Sequence, residues 1–299
     1  MRIGYNTWST PTMAFDDVVT HLSRIGFDSV EVTVCEGWPT DAALASDRDA
    51  VRWRALAVEA GLEISSVTAN APLVCDEDTW AVSRGRLLRS FEIASILGGG
   101  VPMPVSLGAH KPKAPLLGGS PPPITTQTSW DSDRQLIVDR FGDLCELALR
   151  AGATVAVEPH AGAVLSTVDH ALQLLTEVGS PALGINLDIS HFAVRDFELP
   201  EVVAQLMPYT LVVEVKDHVR TVDGFDFLIP GEGEFDYRTF VGLLAGEGYE
   251  GTVSVEISVR RQALPGFDEV GAAEQSYQVL DKAFATAGIV RPQRRGTPA

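Results

Sequence analysis

The sequence predicts an α/β protein built as a single (β/α)8 TIM barrel, and three observations carry the prediction. Short apolar runs alternate with longer stretches of helical periodicity, which implies a parallel sheet with crossover helices. The junction between them recurs: a helix-like stretch ends at Gly and an apolar run follows at once, as in Arg150-Ala151-Gly152 before Thr154. Glycine just past a helix end takes the left-handed cap conformation at little cost. The chain has 299 residues and room for eight such units, a length at which barrels run as one domain. No GxGxxG follows the first strand, which weighs against an open dinucleotide-binding sheet.

The first strand is expected at residues 2–6, where Arg2-Ile3-Gly4-Tyr5 opens the chain. A helix over 15–25 ends at Gly26 and leads to a second strand at 29–33. A helix over 49–60 ends at Gly61 before a third strand at 63–68. The helix at 78–97 passes through Gly98-Gly99-Gly100 to a fourth strand at 101–106. Residues 108–131 then break the pattern: they are rich in Gly and Pro, include Pro121-Pro122-Pro123, and are too long for a plain connection. They read as an elaborated loop on the face where barrel active sites lie, serving as a lid, a subunit contact or a passive insertion.

Beyond it, Leu136, Ile137, Phe141, Leu144, Leu147 and Leu149 form a core-facing stripe on a helix over 132–150. Strands follow at 154–158, 183–188, 210–215 and 252–257, with helices at 168–178, 199–207, 237–245 and 267–287. Residues 1–290 are therefore one domain, and the basic, Pro-rich 291–299 is expected to be a disordered tail.

Composition narrows the function. A hydrophobic content of 45% is that of an ordinary globular domain. The net charge of -17 opposes binding to nucleic acid or an anionic membrane. No apolar run approaches the roughly 20 residues of a membrane span, and the N-terminus has no signal-peptide pattern. Three scattered cysteines, Cys35, Cys75 and Cys145, without CxxC spacing, read as reduced thiols and a cytoplasmic setting.

Four acidic residues stand at the C-terminal ends of separate apolar runs: Glu158, Asp188, Glu214 and Glu256. In a barrel those strand ends line one mouth. Four carboxylates do not all stay ionised close together without a cation, so the pattern points to one divalent metal ion. Oxygen donors favour Mn²⁺ or Mg²⁺, with Zn²⁺ or Co²⁺ as alternatives. Three histidines lie close by in sequence: His160, His191 and His218. Each is a candidate ligand, proton carrier or donor to a substrate oxygen. Trp8, Glu31, Trp38 and Asn70, at or after the ends of strands one to three, and His110 in the long loop are candidates for shaping a pocket. Gly231 and Gly233 are a weak phosphate-binding signal, disfavoured by Glu232 and Glu234 beside them, so an unphosphorylated substrate is expected.

Val157-Glu158-Pro159-His160, Leu187-Asp188-Ile189-Ser190-His191 and Val215-Lys216-Asp217 followed by Arg220 resemble the xylose isomerase-like barrel family, over nearly the whole chain. That family holds sugar isomerases and epimerases, inosose and 3-dehydroshikimate dehydratases, and endonuclease-IV-like repair enzymes. The resemblance implies metal ligands at Glu158, Asp188, Glu214 and Glu256. It implies a catalytic role for Glu158, Glu256 and His191, and substrate contacts at His160, Lys216, Arg220, Trp8 and Glu31. Glu214 departs from the pattern, since the sugar epimerase branch has His there. The departure leaves Glu214 as a carboxylate ligand or a base, with His218 as a substitute ligand, and keeps open a non-catalytic or partner-dependent subunit.

The expected chemistry is isomerisation or epimerisation of a keto-sugar or cyclitol. A metal-bound carbonyl acidifies the neighbouring C–H, and Glu158 or Glu256 removes the proton to give an enediolate. The opposite Glu then returns a proton. With a leaving group β to the carbonyl the same enolate expels it, and the enzyme is a lyase. DNA repair would demand several His ligands and a basic face, against a His count of 6 and an acidic chain. Assembly as a homodimer or tetramer is expected from the resemblance.

Overall fold

A computed structural model of the chain describes residues 1–108, 129–222 and 224–292. Eight strands close into a barrel: β1 (Arg2–Asn6), β2 (Ser29–Thr33), β3 (Glu63–Thr68), β4 (Pro104–Gly108), β5 (Thr154–Glu158), β6 (Leu183–Asp188), β7 (Thr210–Val215) and β10 (Thr252–Val255). All pair in parallel with both neighbours, and β1 against β10 closes the ring with Arg2 opposite Thr252. Between β7 and β10 a separate antiparallel hairpin is inserted, β8 (Asp217–Thr221) with β9 (Gly224–Leu228).

The surrounding helices are α1 (Phe15–Ile25), α2 (Asp47–Glu59), α3 (Glu77–Gly98), α4 (Trp130–Ala151), α5 (Val168–Val178), α7 (Leu199–Leu206), α8 (Tyr237–Gly246) and α10 (Glu269–Thr286). Two single turns, α6 (Ser190–Ala193) and α9 (Val259–Gln262), follow β6 and β10 directly. Side chains cap several helix starts: Ser129 accepts from Ser132 N–H at the head of α4, and Thr167 accepts from His170 N–H at the head of α5. Gly152 closes α4 with φ 73°, a conformation that costs a residue with a Cβ more than glycine.

Alternation along the strands sets the core. Ile3, Tyr5, Val30, Val32, Val67, Val105, Val155, Val157, Ile185, Leu187, Val213, Val215, Val253 and Val255 are buried in one continuous apolar cluster with the helices. The alternate positions face the lumen and are largely polar: Asn6, Glu31, Ser66, Thr68, Ser106, Asn186, Glu214 and Ser254, all buried. Barrel interiors more often stack Val, Ile and Leu in layers. Here the lumen is a hydrogen-bonded network, which the reading of the strands as plain apolar runs does not show.

Four details differ from the sequence expectation. Strand four runs over Pro104–Gly108 rather than 101–106, because Pro102 has no N–H to donate and Val101 is exposed. Strand eight stops at Val255: Glu256 N–H still donates to Val215 O of β7 at 3.2 Å, but Ile257 N–H turns away to Ser9 Oγ at 2.8 Å. The β8–β9 hairpin and the two single-turn helices were not anticipated. Arg291, grouped by sequence with a disordered tail, is held: Nε and Nη2 each donate to an Asp28 oxygen at 2.9 Å, and Nη1 donates to Asp281 Oδ1 at 2.6 Å. A buried carboxylate, Asp28, explains the anchoring. The insertion at 109–128, with His110, and residues 293–299 lie outside the described residues. Cys35, Cys75 and Cys145 are free, and no helix of the described residues is long and apolar enough to cross a membrane.

Candidate metal centre at the barrel mouth

Parallel strands of one barrel end at one face, so Glu158 at the end of β5, Asp188 at the end of β6 and Glu256 just past β10 come to the same mouth. Glu158, Asp188 and His191 offer ligand atoms that all lie within 4.8 Å of one another. His191 reaches the group because α6 starts two residues after β6. Asp188 Oδ1 accepts from Ser190 N–H at 3.0 Å and sets that turn. His191 Nε2 is 3.2 Å from Glu158 Oε1 and 3.5 Å from Asp188 Oδ2. Neither ring nitrogen of this buried histidine makes a hydrogen bond among the described residues. The His160 ring lies against it at 3.7 Å, and Phe227 of β9 meets it edge-on at 5.0 Å. The hairpin therefore covers the centre from the side.

A divalent ion about 2.1 Å from each of two adjacent donors holds those donors about 3 Å apart. The His191–Glu158 and His191–Asp188 spacings are of that order, and an unpartnered buried imidazole beside two carboxylates is what such an ion satisfies. The donor set fits a divalent cation.

Lys216, the residue after β7, stands among the same carboxylates. Ser190 fixes its backbone in both directions: Lys216 N–H donates to Ser190 Oγ at 2.6 Å, and that hydroxyl donates to Lys216 O at 3.1 Å. Its Nζ pairs with Asp188 Oδ2, lies 2.8 Å from Glu256 Oε1, and lies 4.0 Å from Glu158 Oε1. Burial opposes the charge on this ammonium, but Asp188, Glu256 and Glu158 outweigh it and hold the lysine protonated well above its usual range. Burial likewise pushes the Glu256 carboxyl up to about 8, with Lys216 pulling the other way.

Glu214 is not in the three-residue group. Its Oε1 accepts from Asn6 Nδ2 at 2.7 Å, and its Oε2 accepts from Asn186 Nδ2. Asn6 also donates to Thr68 Oγ1 at 2.9 Å, and Thr68 donates to Glu31 Oε1 at 2.8 Å. Glu31 and Glu214 thus belong to the polar lumen beneath the mouth. Burial raises both carboxyls, Glu31 to about 7 and Glu214 well above the ordinary value. Glu31 has no exposed surface, so the position expected to touch substrate is part of the floor.

The remaining candidates are spread around the rim. Trp8 stacks on Trp38 at 4.4 Å and 18°, with its carbonyl accepting from Gln262 Nε2 at 3.1 Å. Arg220 is exposed on β8 and pairs with Asp196, which takes φ 60°. His218 is buried against Phe235, outside the three donors, and burial lowers its pKa. The N–H groups of Gly231 and Gly233 donate to Asp217 Oδ2 at 2.7 and 3.1 Å. This loop's amides are turned to a carboxylate of the chain itself. The sequence reading put Glu158, Asp188, Glu214 and Glu256 forward as ligands and His191 as catalytic, whereas the three-donor group holds His191 and not Glu214; it also placed Lys216 as a substrate contact and missed that it meets three of the carboxylates. The strand-end position gave no signal of that, because Lys216 lies one residue past the ladder.

A model of the xylose isomerase-like TIM barrel family matches residues 19–283. A 3-dehydro-D-guloside 4-epimerase of Escherichia coli is 23% identical over 173 residues, 57% of this chain and 61% of that protein. An inosose dehydratase of Geobacillus thermodenitrificans is 23% identical over 149 residues, 45% of this chain and 49% of the relative. The match spans less than two thirds of either relative. Among solved structures, a xylose isomerase-like TIM barrel protein from Mycobacterium smegmatis in complex with magnesium superposes with a TM-score of 0.70 at 20% identity. That superposition covers 96% of this chain and 97% of the other.

Proposed function

The chain belongs to the xylose isomerase-like TIM barrel family, and we propose that it is a divalent-metal-dependent isomerase or epimerase of a keto-sugar or cyclitol. The observation that carries this reading is the convergence of Glu158, Asp188 and His191 within 4.8 Å at the mouth, with Glu256 joined to Asp188 through Lys216. These four residues would hold the ion, Mn²⁺ or Mg²⁺ in keeping with their mostly oxygen donors. When bound, the ion would polarise a substrate carbonyl and acidify the adjacent C–H.

The chain's own groups divide the remaining work by exposure. Asp188 and His191 are enclosed, at 0% and 1% side-chain exposure, whereas Glu158 and Glu256 show 12% and 13%. Only the second pair presents carboxylate surface to the mouth, so Glu158 and Glu256 are the acid–base pair. They stand on β5 and just past β10, with β6 and β7 between, and so flank a substrate bound across that arc. One takes the proton from carbon, and the other returns it to the neighbouring carbon or the opposite face. Lys216, Trp8, His160 and Arg220 surround this arc as substrate contacts.

The dehydratase among the relatives favours a second outcome on the same residues. Where a leaving group stands β to the carbonyl, proton removal by the first carboxylate ends in elimination. Assembly as a homodimer or tetramer belongs to the same reading.

The test is elemental analysis of the purified protein beside Asp188→Ala, followed by C–H exchange of keto-sugars and inososes in D₂O. About one divalent ion per chain in the wild type, lost in the variant, together with deuterium uptake at the carbon next to the carbonyl, is the expected result. Absence of metal from both proteins after loading refutes the proposal.

A further inference from the structure

Asp188 has no exposed surface, and both its oxygens are engaged: Oδ1 by Ser190 N–H, Oδ2 by the Lys216 ammonium. Oδ2 is also the atom that faces His191 Nε2 at 3.5 Å, on the side of Glu158. An ion held by Glu158, Asp188 and His191 must use the region around this oxygen. A divalent cation and an ammonium on one buried oxygen repel strongly, because nothing there screens them. The lysine has somewhere to go. Its backbone is pinned by Ser190, but its four-carbon stem has rotatable bonds, and the Phe227 ring, 5.8 Å from Nζ, offers a face to an ammonium that leaves Asp188.

We propose that Lys216 is a built-in counter-cation, which neutralises the carboxylates when no divalent ion is present and gives up Asp188 when one binds. The lysine then sets the affinity of the centre for its ion, and it protects the metal-free protein from the repulsion of Glu158, Asp188 and Glu256. The inference rests on the metal-dependent reading of the site and deepens it. An alternative role as a fixed pillar, which orients the carboxylates for the ion, predicts the opposite sign for its removal.

The experiment is calorimetric titration of MnCl₂ into metal-stripped wild type, Lys216→Met and Lys216→Arg, with thermal unfolding of each protein with and without Mn²⁺. Lys216→Met should bind Mn²⁺ at least about tenfold more tightly than wild type. Its metal-free form should melt at a lower temperature and recover when Mn²⁺ is added. Lys216→Arg, whose wider fork grips Asp188 on two sides, should bind several-fold more weakly than wild type. If Lys216→Met folds in neither state, the arginine variant decides, and affinity equal to or above wild type overturns the proposal. Equal or weaker binding by Lys216→Met, with wild type still binding, overturns the role of the lysine and leaves the metal reading intact. No Mn²⁺ binding by any of the three overturns both.

Discussion

Asp188 and Glu214 are register partners on neighbouring strands, yet they live in different surroundings. Asp188 faces a cation and a backbone N–H; Glu214 faces two amide groups and another buried acid. Burial raises a carboxyl wherever nearby cations do not outweigh it, and Glu31 shows the consequence most directly. The folded state holds its proton up to about 7, against an ordinary value of 4.5. Between those values the folded protein keeps a proton that the unfolded chain has lost, so stability is full at acid pH and falls as pH rises through the window. The penalty above neutrality has an upper limit of about 3 kcal/mol. Glu31→Gln cannot ionise. It should therefore melt well above wild type at pH 8 and close to it at pH 5, by scanning calorimetry. Matched melting temperatures at both pH values would show that Glu31 is not proton-linked to folding.

Among the elements, the β8–β9 hairpin decides how the mouth is enclosed. Asp217 roots it. That carboxylate accepts from His218, Gly231, Gly233 and Phe235 N–H at 2.8, 2.7, 3.1 and 3.1 Å, and so ties both ends of the insertion together. Gly233 passes so close that an added Cβ would meet His218 O at 2.2 Å. Replacing Asp217 by Asn leaves buried N–H groups without an acceptor and should cost about 2–4 kcal/mol. Urea unfolding measures it, and a loss below about 0.5 kcal/mol would mean that the loop re-forms without its anchor.

The same hairpin marks where the sequence stops being readable. Strands of the barrel announced themselves through outward-facing Val, Ile and Leu, and helix ends through glycine. The hairpin's first strand reads Asp217-His218-Val219-Arg220-Thr221, and Phe227 is the one apolar side chain buried among the hairpin's described residues, so it has no apolar stripe to find. The single turn α6 is shorter than one helical repeat of pattern, yet it brings His191 to Glu158. The four carboxylates were legible because each ends a strand, but which of them would be drawn to the lysine, and which to the amides of Asn6 and Asn186, depends on contacts across the lumen. Those partners are 208 and 28 residues from Glu214 along the chain.

At the scale of the whole molecule, Arg291 ties the segment after α10 to the loop before β2. Arg291 bridges Asp28, Tyr277, Asp281 and Gly26 O, and Asp28 in turn accepts from Ile3 N–H at 2.9 Å in β1. Ending the chain after Pro292 keeps Arg291 and serves as the reference. Ending it after Val290 strands a buried carboxylate and should cost about 3 kcal/mol. Calorimetry of the two truncations checks this, and equal melting temperatures would show that Asp28 finds another partner.

The polar lumen has a thermodynamic consequence as well. Apolar surface exposed on unfolding raises heat capacity by about 0.45 cal/mol/K per Å², while polar surface lowers it by about 0.26. A barrel lined by Asn6, Glu31, Thr68, Ser106, Asn186, Glu214 and Ser254 therefore absorbs less heat capacity on melting than one lined by branched aliphatics. Its free energy of unfolding follows a shallower arc against temperature, so the fold gives up its margin slowly on cooling as well as on warming.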